Sequence, residues 1–124
     1  MLGGYKMNLE GSIIFFGVKN MEKTDSFYRD KLGLELYKDQ GLCRIYRVPG
    51  GGMLGFCTHQ EVVSREKSPI ITLLTPDVDG WYKKLKDKGV EAEEEPKSNP
   101  RFKIYHFFLR DPDGYTLEIQ RFLD

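Results

Sequence analysis

Apolar positions in the first half of the chain predict one strand, one helix and then three further strands. Residues 12–18 form an almost continuous apolar run, which is typical of a buried strand. Asn20 can cap a following helix, and Gly33 can end it, because glycine readily adopts the left-handed conformation beyond a helix. The helix positions at apolar spacing are Met21, Thr24, Tyr28 and Leu32. Three short strand-like segments follow, at 34–37, 43–48 and 53–57.

The second half repeats this order. Residues 69–74 predict a strand, and Asp77 or Asp79 can cap the helix that comes next. Its apolar positions follow helical spacing and are Val78, Trp81, Tyr82 and Leu85. Gly89 ends this helix. The remaining predicted strands are 90–92, 103–110 and 115–122, with 93–100 as a polar loop.

Equivalent positions in the two halves lie at a nearly constant offset. Ile13 corresponds to Ile70 (70 − 13 = 57), and Gly33 corresponds to Gly89 (89 − 33 = 56). An internal repeat is a strong constraint on topology. We therefore predict an α+β fold made of two βαβββ repeats, residues 11–60 and 68–122, which form a curled mixed sheet with the helices outside. Together they make one domain, 11–122, after an N-terminal tail, 1–10.

Alternation along the strands separates two faces of each predicted sheet, because successive side chains of a strand point to opposite sides. Ile14, Phe16 and Val18 are expected beneath the first helix, and Ile71 and Leu73 beneath the second. The opposite face would carry Ile13, Phe15, Met53, Cys57, Ile70 and Leu74. So apolar a face is not expected to remain open to water. Curling the sheets would cover it and leave a hollow, the cup, which predicts ligand binding.

Segments near both ends of the chain carry family-like motifs. Residues 26–33 read Ser-Phe-Tyr-Arg-Asp-Lys-Leu-Gly, and residues 108–118 read Phe-Leu-Arg-Asp-Pro-Asp-Gly-Tyr-Thr-Leu-Glu. The first resembles the end of the opening helix, and the second the closing hairpin, of the glyoxalase/bleomycin-resistance/extradiol-dioxygenase (vicinal oxygen chelate) superfamily. With the internal repeat, the resemblance extends over nearly the whole chain and implies the fold predicted above.

The resemblance also implies a divalent metal in the cup, held from the first and last strands of each half. Carried onto this sequence, the ligand positions are Ile13, Gly55, Ile70 and Glu118. Only Glu118 can ligate, whereas zinc and related ions need about three N, S or O ligands. We therefore expect no metal and no other cofactor. A set of Cys57, His106 and Glu118 is the alternative that would restore a metal site.

Two ionisable residues are the candidate catalytic groups. The resemblance to extradiol dioxygenases makes His106 a candidate active-site histidine, the alternative being a strand histidine hydrogen-bonded to a neighbour. Glu118 is either an acid/base whose pKa is raised by desolvation, or a carboxylate paired with a cation such as Arg44 or Lys103.

The pattern and the resemblance together predict a small-molecule-binding protein that holds an aromatic or amphipathic organic ligand in the cup. The strand 42–48 lacks clean alternation, which leaves the side of Arg44 and Tyr46 open; if they face the cup, Arg44 could pair with an anionic group of the ligand. The predicted ligand-binding residues are Phe15, Arg44, Tyr46, Met53, Cys57, Thr72, His106 and Glu118. The alternative function is a metal-dependent lyase, isomerase or dioxygenase with a non-standard site centred on Glu118.

Composition narrows the partners. The 124 residues include 19 basic and 19 acidic side chains, a balance that argues against nucleic acids and anionic membranes as partners. No apolar run approaches the roughly 20 residues that span a bilayer, and the start lacks a signal-peptide pattern. We expect a cytoplasmic protein in which Cys43 and Cys57 stay as thiols. We also expect a homodimer, because repeats of this superfamily often meet across two chains and cover the apolar face.

Overall fold

The computed structural model describes residues 8–124, and these form two four-stranded sheets that repeat one topology. The strands are β1 (Ile13–Gly17), β2 (Glu35–Asp39), β3 (Cys43–Arg47), β4 (Met53–Cys57), β5 (Ile71–Leu74), β6 (Lys97–Asn99), β7 (Ile104–Arg110) and β8 (Thr116–Phe122). Their order is β1-β4-β3-β2 in one sheet and β5-β8-β7-β6 in the other. The β1–β4 and β5–β8 pairs are parallel, and the other pairs are antiparallel. The predicted double repeat is confirmed.

Each repeat carries its helix after the first strand, as the spacing predicts. Helix α1 (Met21–Asp25) continues as a π-helical segment, Ser26–Lys31, and α2 spans Val78–Asp87. The Asn20 side chain accepts a hydrogen bond from the Lys23 amide at 3.1 Å. Of the two predicted caps for α2, Asp77 is the one that accepts, from the Gly80 amide at 2.9 Å. In residues 8–124, no helix combines the length and apolar character needed to cross a bilayer.

The faces of the sheets that contact the helices share one core. In the first repeat the Tyr28 ring stacks on Phe56 with centroids 4.3 Å apart. In the second, Tyr82 of α2 meets Phe107 edge-on at 5.4 Å. Aromatic side chains bury large areas and favour these offset and edge-on arrangements. The core therefore lies on the helix side of both sheets and leaves the opposite faces outside it. Phe16 and Val18 are part of this core as predicted, whereas Ile14 is 56% exposed, which corrects its expected place beneath the first helix.

The turn between β7 and β8 joins the two repeats. Tyr28 Oη donates to Asp111 Oδ2 at 2.8 Å, and Tyr115 Oη donates to the Gly17 carbonyl at 2.6 Å. Burial raises the pKa of both partners of the first bond, and the negative charge of Asp111 adds to the rise at Tyr28. The Asp-Pro-Asp-Gly turn is thus part of the contact between the repeats as well as a hairpin turn.

The predicted strand 90–92 is wrong. Ala92 makes only an isolated bridge with Leu109, and β6 (Lys97–Asn99) lies inside the stretch that was predicted to be a loop. The reason is that β6 is a three-residue edge strand with the sequence Lys-Ser-Asn, whose side chains are exposed or half-buried. Such a strand is specified by backbone pairing with β7 and carries no apolar periodicity.

The expectation of two free thiols is also wrong, because Cys43 and Cys57 form a disulfide. The antiparallel register of β3 and β4 places them directly opposite each other, with Cα atoms 4.1 Å apart. Residues opposite each other in a non-hydrogen-bonded pair approach this closely. The predicted tail lies largely outside the described residues, and residues 8–10 have no regular secondary structure.

Candidate functional site

Each sheet has a second face, opposite its helix, which we call the open face. In the first repeat it carries Phe15, and in the second Thr72, His106 and Glu118, because these alternate with core residues along their strands. Large apolar side chains on the open faces stay exposed: Phe15 of the first repeat is 43% exposed, and Leu74 of the second is 63% exposed. This is the face from which the sequence predicted a cup.

The carboxylate of Glu118 is the centre of a polar network on the open face of the second repeat. Thr72 Oγ1 donates to Glu118 Oε1 at 2.8 Å, and His106 Nδ1 lies 2.6 Å from Glu118 Oε2. In the amide orientation that satisfies both groups, the Gln120 nitrogen donates to Glu118 Oε2 at 2.9 Å. Glu118 is only 8% exposed, so these donors replace the water that the carboxylate loses.

The network answers the question that the sequence left open about Glu118. Its partners are a histidine, a hydroxyl and an amide, all on the open face of the second sheet. Arg44, one predicted partner, is engaged elsewhere, with Glu22 and Asp39. The register explains the choice of partners, because Thr72 is opposite Glu118 in β5 and Gln120 is opposite His106 in β7.

The Glu118 contact fixes how His106 can react. A carboxylate accepts, so Nδ1 carries the hydrogen and Nε2 keeps a lone pair. Among residues 8–124 we find no hydrogen-bond partner for Nε2. The ring of Phe108 meets His106 edge-on, with centroids 5.1 Å apart. His106 is therefore a strand histidine bonded to a neighbour, held in a tautomer whose second nitrogen can accept a hydrogen bond or a proton.

The equivalent position of the first repeat is filled by hydrocarbon. Gly55 is opposite Phe15 in β1, and the Phe15 ring lies over Gly55 so closely that a methyl group there would overlap it. Ile45, the other neighbour of Gly55, is buried. The open face of this repeat has an aromatic surface where the other has a carboxylate.

Arg44 and Tyr46 do not face the cup, which corrects the prediction that they line it. Tyr46 Oη donates to Asp25 Oδ1 of α1 at 2.6 Å, and Arg44 Nη2 lies 3.2 Å from Glu22 Oε1. Burial raises the pKa of Tyr46, and its bond to Asp25 raises it further. Both side chains thus fasten β3 to the first helix. Alternation in β3 was hard to assign because the strand is buried on both faces: Ile45 and Tyr46 are adjacent in sequence, point to opposite sides and are both buried.

The alternative metal site of Cys57, His106 and Glu118 is not formed, because Cys57 does not lie with the other two side chains. In the part of the chain that the structure describes, the only group of three or more metal-binding side chains with adjacent donor atoms is Cys43, Cys57 and His59, which excludes His106 and Glu118. Ile13 and Gly55 offer no donor atoms, and the residue opposite Glu118 in β5 is Thr72. One carboxylate and one imidazole fall short of the three ligands that a catalytic zinc or related ion needs. The residues of the open face therefore do not fit the metal of the superfamily.

A further cavity lies in a cleft between the two repeats and shares Thr72 and Leu74 with the edge of the open face. Its volume is about 660 Å³, within the range of ligand pockets. Its lining includes Leu34, Trp81, Lys84 and, at the edge of β5, Thr72 and Leu74. Of the predicted ligand-binding residues, only Thr72 contributes to it. The open face has the stronger chemical features, because in the second repeat it carries both the buried Glu118–His106 pair and the exposed ring of Phe122.

The sequence reasoning missed Gln120 and His59 as functional candidates. Gln120 could have been found, because it lies two residues after Glu118 on the same strand and so shares its face. His59 is visible in the sequence as a histidine just past the fourth strand, but its direction could not be predicted, because alternation gives no direction in a turn. Met53 is half-buried at the start of β4, opposite Ile13.

Comparison with known proteins agrees with this fold. The chain is 28% identical to the protein YraH of Bacillus subtilis over 119 residues, which cover 86% of this chain and 93% of YraH. A crystal structure of an integron cassette protein from the mobile metagenome of a Halifax Harbour sewage outfall superposes with a TM-score of 0.77 at 24% identity, covering 91% of this chain and 99% of that one. A superfamily member from Sphaerobacter thermophilus gives a TM-score of 0.76 at 22% identity, covering 94% and 99%.

The family model of the glyoxalase/bleomycin resistance protein/dioxygenase superfamily matches residues 12–119, nearly all of both repeats. The strand order and the paired helices are those that the resemblance implied. The chain belongs to the glyoxalase/bleomycin resistance protein/dioxygenase superfamily.

Proposed function

We propose that this protein binds a small aromatic or amphipathic organic molecule on its open face, without a metal. The observation that carries the proposal is the Glu118–His106 pair, which is buried on the face that also carries the exposed Leu74 side chain. His106 Nε2 has no hydrogen-bond partner among residues 8–124. Ligand pockets commonly combine a mainly apolar lining with a few fixed polar groups. A ligand with an aromatic body and a hydroxyl or N–H donor has the matching chemistry.

The two repeats contribute different parts of the proposed site. Phe15 offers a half-exposed ring for stacking, and Leu74 offers aliphatic surface at the end of β5. His106 supplies the acceptor that sets the orientation of the ligand, since Glu118 and Thr72 hold its tautomer and position. Affinity would come mostly from burying apolar surface, and specificity from the hydrogen bond.

The proposed site is completed by a second copy of the chain. The open faces lie outside the shared core, and Phe15, Ile70, Leu74 and Phe122 are all exposed in the single chain. An apolar surface of this kind favours association. A homodimer that covers the open faces would exclude water from the ligand, and light scattering at micromolar concentration tests it. A monomer under those conditions would contradict this part of the proposal.

A thermal-shift screen with planar aromatic compounds, with and without a phenolic hydroxyl, tests ligand binding directly. For a hit, calorimetry should show His106→Ala and Phe15→Ala each weakening binding by about tenfold, the loss of one hydrogen bond or one stacking contact. Trp81→Ala is the matched control, because it removes an aromatic side chain from the cleft between the repeats. Loss of binding in the Trp81 variant, with His106→Ala unaffected, would place the ligand in that cleft and refute the proposal.

A second candidate is proton-transfer catalysis by the same pair, as in an isomerase or a lyase. The supporting observation is that Glu118 orients the imidazole through Nδ1, as carboxylates do for histidine general bases. Exchange of a ligand hydrogen for deuterium in heavy water, followed by NMR, would reveal it. His106→Gln should abolish exchange while ligand binding persists.

A cytoplasmic location remains a prediction, which cell fractionation can test. The Cys43–Cys57 disulfide bears on it, because stable disulfides are typical of oxidising compartments. In a reducing compartment, the two cysteines would instead be thiols at close range.

A further inference from the structure

The end of the first repeat holds a cluster of soft metal-binding side chains that the proposed ligand site does not use. Cys43 Sγ, Cys57 Sγ and one His59 ring nitrogen all lie within 4.8 Å of one another. The β3–β4 register sets the two cysteines opposite each other, and His59 follows Cys57 by two residues. Both cysteines are buried whereas His59 is exposed, so the cluster has a closed side and a side open to solvent.

The spacing of the cluster matches the ligand shell of a tetrahedral zinc ion. Bonds of about 2.3 Å to sulfur and about 2.0 Å to nitrogen separate the two ligand atoms by about 3.6 Å in tetrahedral geometry. His59 Nδ1 lies 3.8 Å from Cys43 Sγ. With the disulfide open, a rotation about the side-chain bonds would separate the two sulfur atoms to about 3.8 Å.

We propose that Cys43, Cys57 and His59 bind a thiophilic divalent metal ion, of which Zn²⁺ is the representative, when the two cysteines are reduced, and that disulfide formation expels it. Two thiolates and one imidazole form a three-ligand set of the kind that holds zinc with an open fourth position. The exposed edge at His59 leaves that position to water. The site is separate from Glu118 and His106, and it stands whether or not the open face binds an organic ligand.

Closure of the disulfide releases the metal by a balanced oxidation. A peroxide is the oxidant: one zinc-bound thiolate attacks a peroxide oxygen, the O–O bond breaks, and a sulfenic acid and a hydroxide form. The second thiolate then attacks that sulfur, the S–S bond forms, and a second hydroxide leaves. Two protons from the buffer convert both hydroxides to water, and the two thiolates have given up two electrons. The disulfide retains no negative charge, so Zn²⁺ loses two of its three ligands and departs.

Zinc titration of the purified full chain in each redox state tests this proposal. After reduction with a phosphine under anaerobic conditions, competition with a chromophoric chelator should show one zinc per chain. Cobalt should give the near-ultraviolet charge-transfer band of thiolate ligation. Addition of hydrogen peroxide should release the zinc while mass spectrometry records the loss of two hydrogens. Absence of zinc binding in the reduced protein, or its retention after oxidation, would overturn the proposal.

Variants identify the ligands. Cys57→Ser and His59→Ala should each weaken zinc binding by more than about 100-fold, since loss of an outer-shell partner alone costs about 10–100-fold. His59 is exposed, so His59→Ala decides the matter if a cysteine variant fails to fold. His106→Gln changes the other histidine of the chain and should leave zinc affinity unaltered. Three results would refute the site. Zinc binding would persist in His59→Ala, it would be lost in His106→Gln, or the chain would unfold on reduction and bind no zinc.

Discussion

The two open faces share one backbone plan but carry different chemistry at the same positions. Phe15 is opposite Gly55 across the parallel pair β1–β4, and Thr72 is opposite Glu118 across the parallel pair β5–β8. In the first repeat the glycine makes room for the aromatic ring. In the second, the hydroxyl donates to the carboxylate at 2.8 Å. The first repeat thus has the Phe15 ring at the place where the second repeat has the buried, hydrogen-bonded carboxylate of Glu118.

The neighbouring cross-strand pair differs in the same way. Cys43 is opposite Cys57 in the first repeat, and His106 is opposite Gln120 at the corresponding place in the second. The first pair is joined by a covalent bond, and the second is joined through Glu118 by hydrogen bonds. Topology therefore fixes which residues meet, whereas residue identity decides whether they cross-link, stack or hold a proton. Each of the following experiments alters one of the two repeats and leaves the other unchanged.

Of the changes considered, opening the Cys43–Cys57 disulfide should lower the free energy of unfolding the most. Cys43 and Cys57 are 14 residues apart in sequence, and the loop-entropy relation gives about 3 kcal/mol of unfolding free energy for a cross-link of that length. Urea unfolding of the oxidised and the reduced protein, with a chelator present so that metal does not contribute, measures the difference. The Cys43→Ser/Cys57→Ser double variant should match the reduced protein. Equal stability in both redox states would show that the cross-link does not constrain the unfolded chain.

Removing the acid of the second repeat should have the next largest effect. Glu118→Ala deprives Thr72, His106 and Gln120 of their common acceptor in a buried setting, which should cost about 2 kcal/mol. Glu118→Gln is the matched control, because it keeps the shape and one acceptor oxygen and should cost less. Urea unfolding checks both. If the two variants are equally stable, the network contributes nothing beyond packing.

The secondary structure was largely predictable because both repeats have strong apolar periodicity. The strands over Ile13–Gly17, Met53–Cys57 and Ile104–Arg110 bury residues in core positions, and core burial is what the pattern records. Alternation also placed Thr72 and Glu118 on one face. The three-residue strand β6 was not predicted, because an edge strand of polar residues is specified by backbone hydrogen bonds alone.

The site chemistry was less predictable because it depends on register. The disulfide exists because β3 and β4 pair with Cys43 opposite Cys57, a relation that the sequence of either strand does not contain. Arg44 and Tyr46 alternate with Cys43 and Ile45 along β3 and so face α1 and its Asp25, a side that the mixed polar and apolar sequence of the strand did not indicate. Superfamily resemblance supplied positions for a metal, but only the observed partners of Glu118 tell what its carboxylate does.

A double-mutant cycle on the first repeat should show a smaller effect. Gly55→Ala places a methyl group where the Phe15 ring lies, which should cost about 1 kcal/mol as the half-exposed ring swings outward. In a Phe15→Ala background the same methyl group has room, so the cost should vanish and the coupling should be about 1 kcal/mol. Urea unfolding of the four proteins gives the cycle. Additive costs would mean that the ring does not occupy this space.

Acid titration should reveal the smallest difference, between an aspartate of each repeat. At Asp25 burial acts to raise the pKa, but the bonds from Tyr46 and Arg29 outweigh it, so the pKa lies below the ordinary 3.8. Its stabilisation is present above that value and is lost as pH falls through the lowered pKa. At Asp111 burial dominates and raises the pKa above 3.8. There the unfolded chain releases its proton first, so stability falls as pH rises from 3.8 through the raised pKa.

The two aspartates thus have opposite effects on how the free energy of unfolding changes as the pH is lowered. One substitution at each aspartate separates the two effects. Asp25→Asn should flatten the loss of stability on acidification, because the carboxylate whose proton uptake favours unfolding is gone. Asp111→Asn should steepen that loss, because acidification no longer relieves a buried charge beside Tyr28. Urea unfolding at a series of pH values, from about pH 6 down through 3.8 and below, compares the two variants. Parallel acid limbs for the two variants would show that the contact between Tyr28 and Asp111 does not hold a charge that folding desolvates.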